Sequence, residues 1–264
     1  MAAIGVFDSG VGGLTVWREL QRHLPHESVV YLGDTAHLPY GSRTPQEIVG
    51  YVRTICTWMQ AYPVKMIVMA CNTSSALALE TVRQEYSVPM LGLILPGAKA
   101  AVQVGQRIGV IATQATVNSH AYQQAVQEID PVAQCWEVAC PEFVPLIEAG
   151  QIHALALRQA AQRYLEPLLE RGIDTLIYGC THYPLIDAVI RELLPADVAI
   201  VNPAVHLVQA VAQELEFLGL SAAVTPQPAT TRFYVTGQDG DRFAQLAQQW
   251  LEDATEPPQV YMAV

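Results

Sequence analysis

Two cysteines in this 264-residue chain stand where acid–base or nucleophilic chemistry is easiest to build. Cys71 follows the apolar run Met66–Ala70 and precedes Asn72, Thr73, Ser74 and Ser75, while Cys180 follows Thr175–Gly179 and precedes Thr181 and His182. In each motif a buried strand is expected to pass into a helix, whose N-terminus would lower the thiol pKa and favour thiolate. The hydroxyl and amide side chains behind each sulfur, together with free backbone N–H groups, suit a bound carboxylate. A single cysteine is more commonly a small buried hydrophobe. Cys56, inside an expected helix, and Cys135 and Cys140, flanking a strand without comparable polar partners, are read that way. Cys71 and Cys180 stand apart because they form a matched pair.

Four further places carry polar groups that chemistry could use. Asp8 lies in Gly5-Val6-Phe7-Asp8-Ser9-Gly10-Val11-Gly12-Gly13, which lacks the Lys-Ser/Thr of a P-loop and the G-x-G-x-x-G spacing of a dinucleotide fold. An Asp at a strand end beside a glycine turn suits gripping an ammonium group or orienting an acid–base partner; it could also simply cap the next helix. His182 sits two residues after Cys180, and beside a reactive thiol it reads as a general base or charge stabiliser. One C-x-H without a second pair is poor zinc spacing, so no metal is expected. A Cys-His hydrolase stays open, although it leaves the second cysteine turn unexplained. Gly33-Asp34 and Pro39-Tyr40-Gly41-Ser42-Arg43 read as an ordinary connection, and Glu142 and Glu148 as surface carboxylates.

The elements that must position these groups are legible as alternation. Strands are expected at Ala3–Phe7, Val29–Leu32, Met66–Ala70, Met90–Ile94, Arg107–Ala112, Cys135–Ala139, Thr175–Tyr178, Val198–Val201 and Arg232–Thr236. Most are apolar on successive residues, as in strands covered on both faces of a parallel sheet. Between them fall helical segments: Thr44-Pro45-Gln46-Glu47 is a capping box opening a helix to Met59, and His153–Arg171 and Pro203–Leu218 end at Gly172 and Gly219. Ile4-Gly5-Val6 recurs as Ile108-Gly109-Val110, and each copy is followed at similar spacing by a strand ending in one of the two cysteine motifs. This echo implies two similar α/β domains, each a largely parallel sheet flanked by helices. Ligands of such sheets sit beyond the carboxyl ends of strands. With the halves facing each other, both cysteine turns would reach one interdomain cleft.

Composition narrows the function further. The 14 basic and 25 acidic residues give a net charge of −11, and 51% of residues are apolar against 15% charged. Disorder is excluded by that balance. A nucleic-acid partner is not expected without clustered Lys and Arg. Nor is a membrane span, because the richest stretch, Val88 to Val104, is interrupted by Pro89, Pro96 and Lys99. The N-terminal MAAIGVFDSG has no basic region of a signal peptide, and five cysteines without a CxxC pair suit a reducing, cytoplasmic setting.

Taken together and in order, IGVFDSGVGGLTV, GDTAHLPYGSR, MACNTSSA, IGVIAT and GCTHYPL closely resemble the glutamate racemase family. The resemblance covers Ile4 to about Leu218; Ser221 to Val264 carries no motif. Aspartate and hydantoin racemases and maleate isomerase share the two-thiol plan but usually lack this form of the DSGVGGL and PYG segments. The resemblance implies a pyridoxal-phosphate-independent enzyme that needs no cofactor and supplies D-glutamate for bacterial peptidoglycan. Cys71 would serve D-glutamate with help from Asp8. Cys180 would serve L-glutamate with help from His182 and Glu148, with Glu142 competing for the last role. Glutamate would be bound by Asp8, Ser9, Tyr40, Gly41, Asn72, Thr73, Thr181 and His182. The expected domains are 1–97 with a returning 208–264, and 98–207. A homodimer is also implied, with no surface stripe to mark its face. Leu95, before Pro96-Gly97, departs from the acidic residue frequent in the family. Another amino-acid racemase, a cysteine hydrolase or amidase, and a catalytically idle binder of acidic metabolites are the competing readings.

Overall fold

Ten strands, all paired in parallel, form two sheets in the computed structural model, which describes residues 2–223, 229–250 and 258–263. In chain order they are β1 (Ala3–Asp8), β2 (Val29–Gly33), β3 (Val64–Met69), β4 (Met90–Gly92), β5 (Arg107–Ala112), β6 (Gln134–Ala139), β7 (Thr175–Gly179), β8 (Ala199–Val201), β9 (Thr231–Val235) and β10 (Val260–Met262). The first sheet runs β10-β9-β2-β1-β3-β4 and the second β6-β5-β7-β8. Helices connect successive strands, as parallel pairing requires.

The central strands β1, β2 and β7 are buried at every residue, which is why their sequences are apolar without alternation. Helix Pro45–Met59 begins with the expected reciprocal cap between Thr44 and Glu47, an arrangement worth about 1 kcal/mol. It turns Ile48, Val52, Ile55 and Cys56 inward, so Cys56 is core. Gly172 (φ 63°) and Gly219 (φ 66°) adopt the left-handed conformation that ends their helices.

Differences from the sequence reading are local, except at the tail. The chain turns helical at Ile94, so the fourth strand stops at Gly92 and not at Ile94. The tail places β9, expected as Arg232–Thr236, beside β2 and adds an unexpected strand, β10, outside it, extending the first sheet at its far edge. Positions 97/98 and 207/208 fall within the helices Ile94–Val104 and Pro203–Phe217, through which the chain passes between the sheets. Among the described residues no helix is long and apolar enough to cross a membrane.

Each sheet reverses its strand order once. Chain order departs from β1 towards β2 on one side and β3 on the other, and likewise from β5 towards β6 and β7. Such switch points open crevices at strand carboxyl ends. Asp8 and the residues after β3 lie at one crevice, Thr113 and the residues after β7 at the other.

Candidate functional site between the two sheets

Both crevices feed one cleft of about 160 Å³, lined by Cys71, Asn72 and Thr73 from one side and by Cys140, Cys180, Thr181 and His182 from the other. Ser9, Tyr40 and Gly41 line it too, with Thr113 and Gln114 from the turn after β5. Pockets for drug-sized ligands span about 300–1,000 Å³, so this one suits a much smaller molecule. All five cysteines are free thiols.

Asp8, which also belongs to this constellation, is fully buried. Its carboxylate accepts hydrogen bonds from the Gly10 N–H (2.8 Å), the Ser9 hydroxyl (3.2 Å) and, from the opposite sheet, the Thr181 hydroxyl (3.2 Å). It does not cap the following helix, Leu14–His23, which has no side-chain cap. Burial pushes the Asp8 carboxyl above its ordinary range, opposed by His182 and these three donors. The glycines after Asp8 provide closeness: a Cβ on Gly12 would lie 2.5 Å from both His182 Nδ1 and Thr181 Oγ1.

The two thiols have unlike surroundings. Cys71 precedes a helix of only six residues, Asn72–Leu77, and Cys180 precedes a turn and the short 3-10 helix Tyr183–Ile186. The expected lowering by a helix N-terminus does not prevail at Cys71. Burial, then the neighbouring Asp8, push its thiol up to about 12 against the opposing N–H and hydroxyl of Ser74. On the other side, Cys180 Sγ lies 3.7 Å from His182 Nδ1, and His182 Nε2 lies 3.1 Å from Glu148 Oε1. Burial alone would lower the His182 pKa, but Cys180 and Glu148 outweigh it and raise the imidazole to about 10. Glu142 points elsewhere, to Arg163 and the Tyr164 hydroxyl on the surface. Of the two candidate carboxylates, Glu148 alone reaches His182.

A profile of the Asp/Glu/Hydantoin racemase family matches residues 11–215. The chain belongs to that family. Among its racemase relatives are the glutamate racemases of Trichormus variabilis, 60% identical over 95% of this chain and 85% of theirs, and of Microcystis aeruginosa, 57% identical over 99% and 92%. Solved racemase structures are similar as well. A glutamate racemase isoform from Bacillus anthracis superposes with a TM-score of 0.91 at 36% identity, covering 99% of this chain and 96% of that one. The Francisella tularensis glutamate racemase, solved in complex with D-glutamate, gives 0.90 at 33% identity, covering 98% and 96%. These comparisons bear on the whole chain and leave the role of each side chain to its own geometry.

Several residues of this racemase-family cleft were not singled out in the sequence. The Thr73 hydroxyl meets those of Thr113 (2.9 Å) and Thr116 (3.2 Å), joining the two sheets at the cleft wall. The echo of Ile4-Gly5-Val6 in Ile108-Gly109-Val110 was the available signal, because Thr113 follows the second copy as Ser9 follows the first. Cys140, read as packing, lines the cleft while its thiol donates to Val138 O at 3.6 Å. The connection through Asp34 is likewise more than ordinary. This buried carboxylate accepts from the Tyr40 and Thr236 hydroxyls and pairs with His37 Nδ1, anchoring the Tyr40-Gly41 turn. Among the described residues no group of three or more His, Cys, Asp or Glu side chains is arranged to hold a metal ion.

Proposed function

We propose that this chain interconverts L- and D-glutamate without a cofactor, by proton transfer at Cα between Cys71 and Cys180. The observation that carries this reading is the convergence of both thiols on one small cleft from the switch points of separate sheets. Racemisation needs a base on one face of Cα and an acid on the other. Two bases of the same kind suit a reactant and product that are mirror images. The glutamate racemase relatives, one of them solved with D-glutamate, support glutamate as the substrate.

In the L to D direction the Cys180 thiolate removes the α-proton and Cys71 delivers its thiol proton to the opposite face. The enzyme is left with a Cys180 thiol and a Cys71 thiolate, the starting state for the reverse reaction. A His182 raised to about 10, and so cationic at neutral pH, lies 3.7 Å from Cys180 Sγ, while burial and Asp8 keep Cys71 a thiol at neutral pH. Carbanionic charge at Cα and the substrate carboxylates is met by preorganised neutral donors: Ser9, Asn72, Thr73 and Thr181 hydroxyls and amides, and the backbone of Tyr40-Gly41. Such donors strengthen when water is excluded. Recognition of a dianionic amino acid by a chain of net charge −11 therefore rests on local dipoles and not on the long-range field.

The product fits supply of D-glutamate to peptidoglycan in the cytoplasm. Residues 1–97 with 208–264 and residues 98–207 are the two domains we assign to the faces of the cleft. The test is racemisation and α-proton exchange in deuterated buffer. Cys71→Ser and Cys180→Ser are each expected to lose at least about 10²-fold in kcat, the lower end for a positioned acid or base. Near-normal racemisation by either variant overturns the two-base reading. A covalent thioester on one cysteine with tolerance to loss of the other would favour a hydrolase.

A further inference from the structure

Asn72 directly follows Cys71 and opens the helix Asn72–Leu77, so its carboxamide is among the polar groups nearest the reacting sulfur in sequence. A carboxamide has a donor end and an acceptor end of the same size, and function depends on which end faces the ligand. The Asn72 acceptor is already engaged. Its Oδ1 takes a 2.6 Å hydrogen bond from the hydroxyl of Tyr122, a residue of the helix Ala121–Ile129 that packs against the second sheet. Asn72 lines the cleft, its nitrogen makes no hydrogen bond among the described residues, and it is not among the sealed-off unpaired atoms. The nitrogen therefore opens on the cleft.

Tyr122 is held firmly enough to impose that orientation. The residue is fully buried. Its helix is preceded by His120 in the left-handed conformation (φ 54°), and the Ser119 hydroxyl accepts from Ala121 N at 3.2 Å. Just before that helix, His120 also places its Nδ1 3.2 Å from Glu137 Oε2 on β6. Gly97 leaves room for the ring, since a Cβ there would stand 3.3 Å from Tyr122 Cε1 and 2.9 Å from Pro203 Cγ. Burial, then the nearby Cys180, push the Tyr122 hydroxyl well above its ordinary pKa, so it remains a donor. Thr73 is gripped from the same side by Thr113 and Thr116, so both residues after Cys71 take their orientation from the other sheet.

We propose that Tyr122 is a positioning residue: by occupying the Asn72 carbonyl from across the cleft, it commits the Asn72 amide N–H groups to a carboxylate of the bound amino acid. A reversed amide would present a carbonyl oxygen to that carboxylate and repel it. The identity of the ligand rests on the glutamate reading above.

The experiment compares Tyr122→Phe, Asn72→Ala and the double variant with the wild type. Tyr122→Phe removes one hydroxyl and keeps the ring. It is expected to raise KM for glutamate about tenfold while kcat changes by less than about threefold, one lost hydrogen bond that orients a charged ligand. In the Asn72→Ala background the same change should add nothing to KM. A merely structural role would instead lower melting temperature and kcat together in both backgrounds. Unchanged KM in Tyr122→Phe, or additive effects of the two changes, overturns the proposal. A crystal structure of Tyr122→Phe supplies a readout independent of turnover: a rotated or doubly oriented Asn72 amide supports the proposal, and an unmoved one overturns it. A wild type that fails to racemise glutamate counts against the functional reading alone, and the amide orientation then decides the role of Tyr122.

Discussion

The β2-β1-β3-β4 part of the first sheet and the whole second sheet, β6-β5-β7-β8, share one topology, and each brings a cysteine to the same cleft. Gly5 and Gly109 occupy matching places in the two central strands, so Asp8 matches Ala112 at the strand end and Ser9 matches Thr113 just beyond it. The surroundings of the sulfurs nevertheless differ in charge. Cys71 faces a buried carboxyl that pushes its thiol towards the neutral form, whereas Cys180 faces an imidazole raised by Glu148. A duplicated topology can place two identical groups on opposite faces of a ligand. Unlike neighbours can then set one as acid and the other as base, which exact symmetry would not do.

The ends of the two central strands give the largest test of that difference. Asp8→Asn is expected to reduce kcat/KM about 10²- to 10³-fold, as loss of a positioned acid–base partner does, while Thr113→Val loses less than about tenfold, as for one neutral hydrogen bond. Steady-state kinetics in both directions would read this, and equal losses would break the comparison. Gly12→Ala should cost about 10²-fold in kcat, because its Cβ would displace His182 and Thr181 by contact at 2.5 Å. A crystal structure of that variant with His182 unmoved would refute the explanation.

Glu148→Gln probes the Cys180 side more gently. Glu148 is one of the groups that raise His182 to about 10, so its loss lowers that pKa. The alkaline limb of the kcat profile should move down by about one pH unit or more. Stability follows the same sign. A histidine raised above its ordinary 6.5 adds stability that is fully present below that value and lost as pH rises through about 10. In Glu148→Gln the loss should be smaller and should be complete at lower pH, as melting temperatures across this range would reveal. At the small end, Glu142→Gln should change kcat/KM by less than about twofold, since exposed ion pairs contribute little. A large loss would mean that the wrong carboxylate has been placed beside His182.

Much of the fold was legible because parallel strands and their helices are written locally. Successive apolar residues mark the doubly covered strands β1, β3, β5 and β7, and Thr44-Pro45-Gln46-Glu47 marks a helix start. The β10 strand, Val260–Met262, escaped notice because a three-residue edge strand with exposed Tyr261 and Met262 carries almost no pattern. At the site, Cys71, Cys180, Asp8 and His182 were readable as strand-end chemistry. The expected helix-terminus effect on Cys71 was outweighed because burial depth and the approach of Asp8 depend on how the strands pack.

The sequence by itself determined which residues end the strands, hence which side chains stand at the crevices, because strand and turn preferences act over a few neighbours. Only the tertiary structure decided which distant groups meet there. Glu148 and not Glu142 pairs with His182, Tyr122 turns the Asn72 amide, and Thr236 of the tail reaches Asp34 behind Tyr40. These contacts join residues 34, 50 and 202 positions apart, and their geometry is fixed by the packing of helices and sheets on one another. Hydrogen bonds and pKa shifts fall off over a few ångströms, so no local pattern could specify them.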